Sequence, residues 1–417
     1  MIIRETLPNG IKLVAQQMSS FRSVSMGIWA GAGSVYESEK EAGISHFIEH
    51  MVFKGTERRT AADIASEMDG IGGSLNAYTA KECTCFYAKV IDEHTELALD
   101  VLSDIVLHSA FDPNEMEKEK GVVLEEISMV EDEPEDLVGE LIMRAQFGDQ
   151  PLARPILGPA ENIRAFTRDT VVGYHKRMYR PECSVLAVTG NYDWEKLQEM
   201  AERFFGGWEM GDGSCPECVT NDVPATLIRR EKDIEQLHIC LSFPGYKMGT
   251  NEVYPMTIFS SILGGAMSSR LFQRIREERG MAYSVYSYPA FYTSTGCLSI
   301  YAGTSEGHAP TVIQLIREEV DDLIKNGITA DEFNQTREQI KGNHVLGMES
   351  SSSRMNSLGR RMLLMGNTQT EDQMLEKLNA ITHEQVNAVI REVLSGPCAA
   401  ALVGKGADKL DMSAFGL

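Results

Sequence analysis

From Gly206 to Pro224 the chain reads GGWEMGDGSCPECVTNDVP, with too much Gly, Pro and small polar residue to continue a helix or a strand. This run divides the 417 residues almost equally. At about 150 residues per domain, the length predicts two to three domains. We expect one domain over 1–210, a linker over 211–224 and a second domain over 225–417. The two halves also share an order of elements. In the first, a strand at Val24 to Ala30 leads through a Gly-rich turn to a helix, Glu41 to Phe53. A short helix (Ala61 to Met68), strands Leu75 to Thr79 and Cys83 to Val90, and helices Glu93 to His108 and Pro113 to Val130 follow. In the second, strand Leu237 to Phe243 leads through Pro244-Gly245 to helix Tyr254 to Leu263. Then come Leu271 to Glu278, strands Ala282 to Tyr288 and Gly296 to Ala302, and helices Pro310 to Lys325 and Ala330 to Met348. FDPNEMEKEK and ITADEFNQTR open matching helices at 111 and 328, a shift of 217 residues. The expected fold is α+β: two homologous domains, each a mostly antiparallel sheet packed with helices, related by internal duplication.

Charge narrows the function. Lys and Arg number 39 against 61 Asp and Glu, a net charge of −22. Such a chain does not seek phosphate backbones, so nucleic-acid binding is excluded. The first 210 residues hold 20 basic against 36 acidic side chains, and the remainder 19 against 25. An acidic first half favours cationic partners, although an acidic soluble surface explains much of it. The apolar runs fall short of the roughly 18 residues a membrane helix needs, so no membrane partner is expected. Met1 to Val14 reads as strand, Pro8-Asn9-Gly10 turn, strand, without a charged region leading into an apolar core. A reduced cytoplasmic compartment is therefore expected.

Eight cysteines are too few for a disulfide framework. Cys83, Cys85, Cys183, Cys240 and Cys297 sit in strand-like apolar segments and are expected as buried thiols. Cys215 and Cys218 form one C-x-x-C, half of a zinc ribbon with no second half. The turn at Gly264-Gly265 lacks the following Gly-Lys-Ser/Thr of a phosphate loop.

His46-Phe47-Ile48-Glu49-His50 carries the chemistry. On a helix the two imidazoles, four residues apart, stand one above the other and can meet at one metal ion. Glu49 shares the face and can act as a base toward a metal-bound water. H-x-x-E-H reverses the H-E-x-x-H order of zinc proteases. Zinc needs a third protein ligand and an open position. The acidic helix from Pro113 offers Glu115, Glu117, Glu119, Glu125 and Glu126. Glu119 and Glu126 lie two turns apart on one face, but the pattern alone does not choose among the five. The remaining histidines lack partners at ligand spacing and read as surface or capping residues. The 21 methionines read as core filling.

Several blocks in order, GAGSVYESEKEAGISHFIEHMVFKGT, GGSLNAYTAKE, EKEKGVVLEEI and GGAMSSRLFQRIREERGMAYSV, resemble the pitrilysin-type inverted-motif zinc peptidases. The nearest subgroup is the catalytic β subunit of mitochondrial processing peptidase and its bacterial relatives. The resemblance spans essentially the whole chain. It implies a zinc endopeptidase that cleaves extended or unfolded peptides in an enclosed chamber, with basic, targeting-type sequences favoured by acidic walls. It assigns zinc to His46, His50 and Glu126, the general base to Glu49, and an auxiliary acidic role to Glu119. Asn76 and Ala77 match edge-strand positions that pair with a peptide substrate, and Phe53 an apolar wall beside the cut. Asp136 and Glu140 match an acidic pair that reads Arg near the cut, with the two residue types exchanged. From Gly121 to Met143 there are eight acids and no Lys or Arg. Arg276 and Tyr283 match a pair that contacts substrate near the reacting oxygen. The second-half element equivalent to H-x-x-E-H has no histidine, so one Zn2+ per chain is expected. In larger single-chain relatives the zinc and the Arg/Tyr pair occupy opposite halves of a closed shell. A homodimer lending Arg276 and Tyr283 across its interface is the expected assembly. The competing expectations are a peptide-binding or assembly subunit without catalysis, and an acidic scaffold indifferent to metal.

Overall fold

Runs of β-branched and apolar residues lay down two sheets in the computed structural model, which describes residues 2–417. The first contains β1 (Ile2–Thr6), β2 (Lys12–Gln17), β3 (Ser23–Ala30), β4 (Ser74–Thr79), β5 (Thr84–Ile91) and β6 (Ser184–Gly190). Their spatial order is β1-β2-β6-β3-β5-β4. The second contains β7 (Leu227–Arg230), β8 (Gln236–Gly245), β9 (Ala282–Phe291), β10 (Gly296–Ser305) and β11 (Ala399–Val403), in the order β7-β11-β8-β10-β9. With β1 set aside, β2 through β6 map one to one onto β7 through β11. The one parallel pair in each sheet falls at the same place, β2 with β6 and β7 with β11. Every other pairing is antiparallel. Duplication is thus written in topology, where residue identity had left only a weak trace.

Five helices of the first half matter for the site: α1 (Ile44–Met51), α2 (Ala61–Gly70), α3 (Thr95–Leu107), α4 (Pro113–Asp132) and α5 (Pro134–Phe147). The chain forms two compact units. One takes the residues up to Ile127, Pro155–Cys218 and Val345–Glu371; the other takes Ser128–Arg154, Val219–His344 and Asp372–Leu417. Each therefore includes a helix from the opposite half of the sequence. Alternation along the central strands explains why. In β3, Val24, Met26, Ile28 and Ala30 enter the main core of the first unit. Trp29 faces the other way, into a smaller cluster with Val14, Cys85, Val185, Met355 and Leu358. A sheet apolar on both faces needs cover on both. The helix Ser351–Met365 supplies the second cover. It sits so close that a Cβ on Gly359 would lie 2.3 Å from the Trp29 ring. Ser25 Oγ and Ser351 Oγ, 2.9 Å apart, tie it down.

In the second unit, Leu237, Ile239, Leu241 and Phe243 of β8 face the large core. Cys240, with Tyr301, Ala401 and Val403, faces Leu137, Val138 and Ile142 of α5. Among the described residues no helix is long and apolar enough to cross a membrane.

One expectation needs correction. Cys183 is not a free thiol; it forms a disulfide with Cys215. The segment after Gly206 turns back over the start of β6, where Arg180 Nη1 pairs with Asp212 at 2.7 Å and Gly211 N–H donates to Glu182 at 2.9 Å. That return brings together two cysteines 32 residues apart, which their local sequence contexts did not signal. The C-x-x-C thus has its first cysteine paired elsewhere, and Cys218 remains a half-buried thiol.

Candidate metal centre

Glu37 starts the site. Its buried carboxylate accepts hydrogen bonds from the backbone N–H groups of Gly43 and Ser45, both at 2.8 Å. These are donors at the N-terminus of α1 that would otherwise be unsatisfied. Gly43 stands at φ 98°, a backbone region that L side chains rarely adopt. Ile44, Phe47, Ile48 and Met51 then point into the first core. The apolar face fixes the rotation of α1, and His46, Glu49 and His50 are left on a less buried side. The imidazole rings of His46 and His50 lie 4.5 Å apart, centre to centre.

The third group comes from α4. Val123 is buried and holds the middle of that helix against the core, while Val122 is 46% exposed. This rotation places Glu119 and Glu126 toward α1. Glu126 Oε2 lies 3.6 Å from His46 Nε2 and 3.5 Å from His50 Nε2. The same oxygen is buried and has no hydrogen-bond partner. Ligands about 2.0–2.1 Å from a tetrahedral zinc stand about 3.4 Å from one another. Both carboxylate–imidazole separations therefore match two ligands on one zinc, and all three donor atoms lie within 4.8 Å of one another. They are also the one His/Cys/Asp/Glu group of this kind among the described residues. Burial first, then the neighbouring His50, pushes the pKa of His46 down to about 4, so its ring is neutral and has a lone pair to give. The residues present fit a zinc ion.

Around this triad are groups of two kinds. Glu119, buried, accepts from His50 Nδ1 at 2.8 Å through one oxygen and from Lys54 Nζ at 2.7 Å through the other. Glu49 accepts from Thr79 Oγ1 at 2.5 Å. Burial raises the pKa of Glu49, and the Thr79 hydrogen bond opposes that rise. The sequence reading missed Lys54 and Thr79. Lys54 continues the spacing of four begun by His46 and His50, and Thr79 ends the strand that contains Asn76 and Ala77, so both signals were in view.

Asn76 and Ala77 sit on β4, the open edge of the first sheet. The Ala77 N–H donates to the Asn76 side chain at 2.8 Å. Phe53, in the turn Val52–Lys54 after α1, packs half-buried against the first core. The other four predicted residues belong to the second unit. Asp136 is exposed and Glu140 half-buried, both on α5. Arg276 lies on a π-helical stretch, Phe272–Glu277, with its guanidinium 4.6 Å over the Phe272 ring and 5.0 Å over the Tyr283 ring. Tyr283 is 75% exposed. A wide helical turn of this type is uncommon and often marks a functional segment.

Comparison with known proteins shows the family. Residues 12–160 match the family described as insulinase (peptidase family M16), and residues 165–340 match the peptidase M16 inactive domain. The chain is 42% identical over 403 residues to the uncharacterized zinc protease YmxG of Bacillus subtilis, covering 97% of this chain and 98% of that one. It is 39% identical over 413 residues to an uncharacterized zinc protease of Mycobacterium leprae, covering 98% and 93%. Two solved structures share the fold at 18% identity. A peptidase M16 inactive domain from Pseudomonas fluorescens gives a TM-score of 0.91, covering 97% of this chain and 98% of that one. A protease from Helicobacter pylori gives 0.90, covering 97% and 99%.

Proposed function

Since the chain belongs to the M16 family of zinc peptidases, we propose that it is an endopeptidase that hydrolyses extended peptides within an enclosed chamber. The observation that carries this reading is the buried, unpartnered Glu126 oxygen facing two imidazole nitrogens at 3.5 and 3.6 Å. His46, His50 and Glu126 would hold one zinc ion per chain. The ion supplies a Lewis acid that acidifies water and polarises a peptide carbonyl.

The chain's own groups do the rest. Glu49 is the general base: it takes the proton of the attacking water and returns it to the leaving amine. Burial raises its proton affinity, which suits a group that must both accept and release a proton near neutral pH. Glu119 accepts the Nδ1 proton of His50 and so keeps that nitrogen's partner, Nε2, free to ligate. The edge of β4 offers backbone groups at Asn76 and Ala77 to an extended peptide, which gives tolerance of sequence. Phe53 walls the position after the cut. Asp136 and Glu140 favour a basic side chain near it. Arg276 and Tyr283 supply donors to the developing oxyanion. They reach it across a homodimer, each chain completing its partner's site.

The test is zinc content and peptide cleavage measured together. Glu49→Gln keeps one zinc per chain and loses turnover by a factor of about 100 to 10,000, the scale of a lost general base. Glu126→Gln loses zinc. Near-normal cleavage by Glu49→Gln contradicts the mechanism. A wild-type protein that binds zinc and peptide without cleaving it supports an assembly subunit instead.

A further inference from the structure

Lys54 is the one cation in direct contact with the carboxylates of this site among the described ion pairs, and the proposed reaction has no use for it as an acid or a base. It stands in the turn that ends α1, one helical turn after His50, where Gly55 at φ 120° redirects the chain. Its ammonium meets Glu119 Oε2 at 2.7 Å, while Glu119 Oε1 meets His50 Nδ1 at 2.8 Å. The Glu119 side chain is 6% exposed and that of Lys54 31%. A nearly buried carboxylate facing one imidazole N–H has a second oxygen to satisfy and a charge to offset. Lys54 does both. It also fixes the rotation of the carboxylate, because an oxygen held by Lys54 leaves only the other aimed at His50.

We infer that Lys54 is a positioning residue for metal binding, acting through Glu119 on His50. The inference rests on the zinc reading above and extends it one layer outward. Outer groups that orient a ligating histidine typically change metal affinity by about 10- to 100-fold. A residue one layer further out acts more weakly, on the order of 3- to 10-fold. Lys54→Arg keeps a cation that can reach the same oxygen. Lys54→Met and Lys54→Gln do not.

The experiment is a zinc dissociation constant, measured by chelator competition at fixed pH. It covers the wild type, Lys54→Met, Lys54→Gln and Lys54→Arg, each with and without Glu119→Gln, and thermal unfolding of the metal-free proteins is the control for folding. Lys54→Met and Lys54→Gln should weaken zinc binding by about 3- to 10-fold while the proteins stay folded at the temperature of the titration, with the metal-free melting temperature lowered by the unpaired Glu119, and Lys54→Arg should recover most of both losses. In the Glu119→Gln background the Lys54 substitutions should change affinity by less than about twofold, because the relay is already broken. Wild-type affinity in both Lys54→Met and Lys54→Gln overturns the inference. So does an equal loss with and without Glu119. Wild-type protein that takes up no zinc overturns the metal reading itself, and is distinguished from these outcomes in the same titration.

Discussion

Thr79 Oγ1 stands 2.5 Å from Glu49 Oε2, and that one hydroxyl sets the direction of the proposed base. Thr79→Val removes the donor at nearly constant volume. We expect kcat to fall by about tenfold, in keeping with a hydrogen bond to a charged group, with zinc content unchanged. Thr79→Ser should retain most activity. Equal kcat for Thr79→Val and wild type would remove Thr79 from the mechanism. At this scale the sequence was legible where geometry is local. His46 and His50 follow from helical spacing alone. Glu126 did not, because the choice among five acids depends on how α4 rotates, and Val123 settles that only by reaching a core built from distant strands. The partner of Cys183 was illegible for the same reason: chain return, not local pattern, brings Cys215 to it.

The elements around the metal centre are held by charge as well as by core. After α1 the chain passes through Arg58 and Arg59, which meet α3. Asp104, fully buried, accepts from Arg59 at 2.9 Å, Arg58 at 3.0 Å and Thr56 at 2.8 Å. Asp104→Ala removes one buried acceptor shared by three donors, while Arg59 keeps Asp100 at 2.5 Å and Glu67 at 3.0 Å, and should cost about 2–3 kcal/mol in urea unfolding. A loss under about 1 kcal/mol would mean that the cluster is solvated. A second element carries a pH dependence. His175, in the helix Arg168–Met178, stacks on Tyr179 and donates to the Val106 carbonyl at 2.9 Å. Burial lowers its pKa to about 4. The unfolded chain, with a value near 6.5, binds the extra proton, so this contribution is complete above about pH 6.5 and is lost as pH falls toward 4. The loss amounts to about 3 kcal/mol, and His175→Gln should flatten that part of the stability profile. For the elements named up to Val130 and from Leu237 to Met348, order was legible from periodicity and boundaries fell within a few residues, whereas β6, β7, β11, α5 and Ser351–Met365 were not named. The π-helical form of Phe272–Glu277 was not legible, since apolar spacing does not separate it from an ordinary helix. Nor was the exchange of α5 and Ser351–Met365 between units, because an amphipathic helix does not name the sheet it covers.

At the scale of the whole molecule, duplication gives two sheets of matching topology and one candidate metal centre among the described residues. The helix after β8, Val253–Gly264, has the place of α1 and none of its histidines. In the proposed homodimer, the Arg276/Tyr283 pair of each chain completes the site of its partner. Mixing Glu49→Gln chains with Tyr283→Phe chains should therefore restore part of the activity that each lacks. No recovery after verified subunit exchange would contradict sharing. The most direct measurement is an anomalous diffraction map collected at the zinc edge from zinc-loaded crystals of the full chain. It should hold one strong peak per chain, within bonding distance of His46 Nε2, His50 Nε2 and a Glu126 oxygen. A map with no peak there, or with its zinc on other residues, would contradict the account.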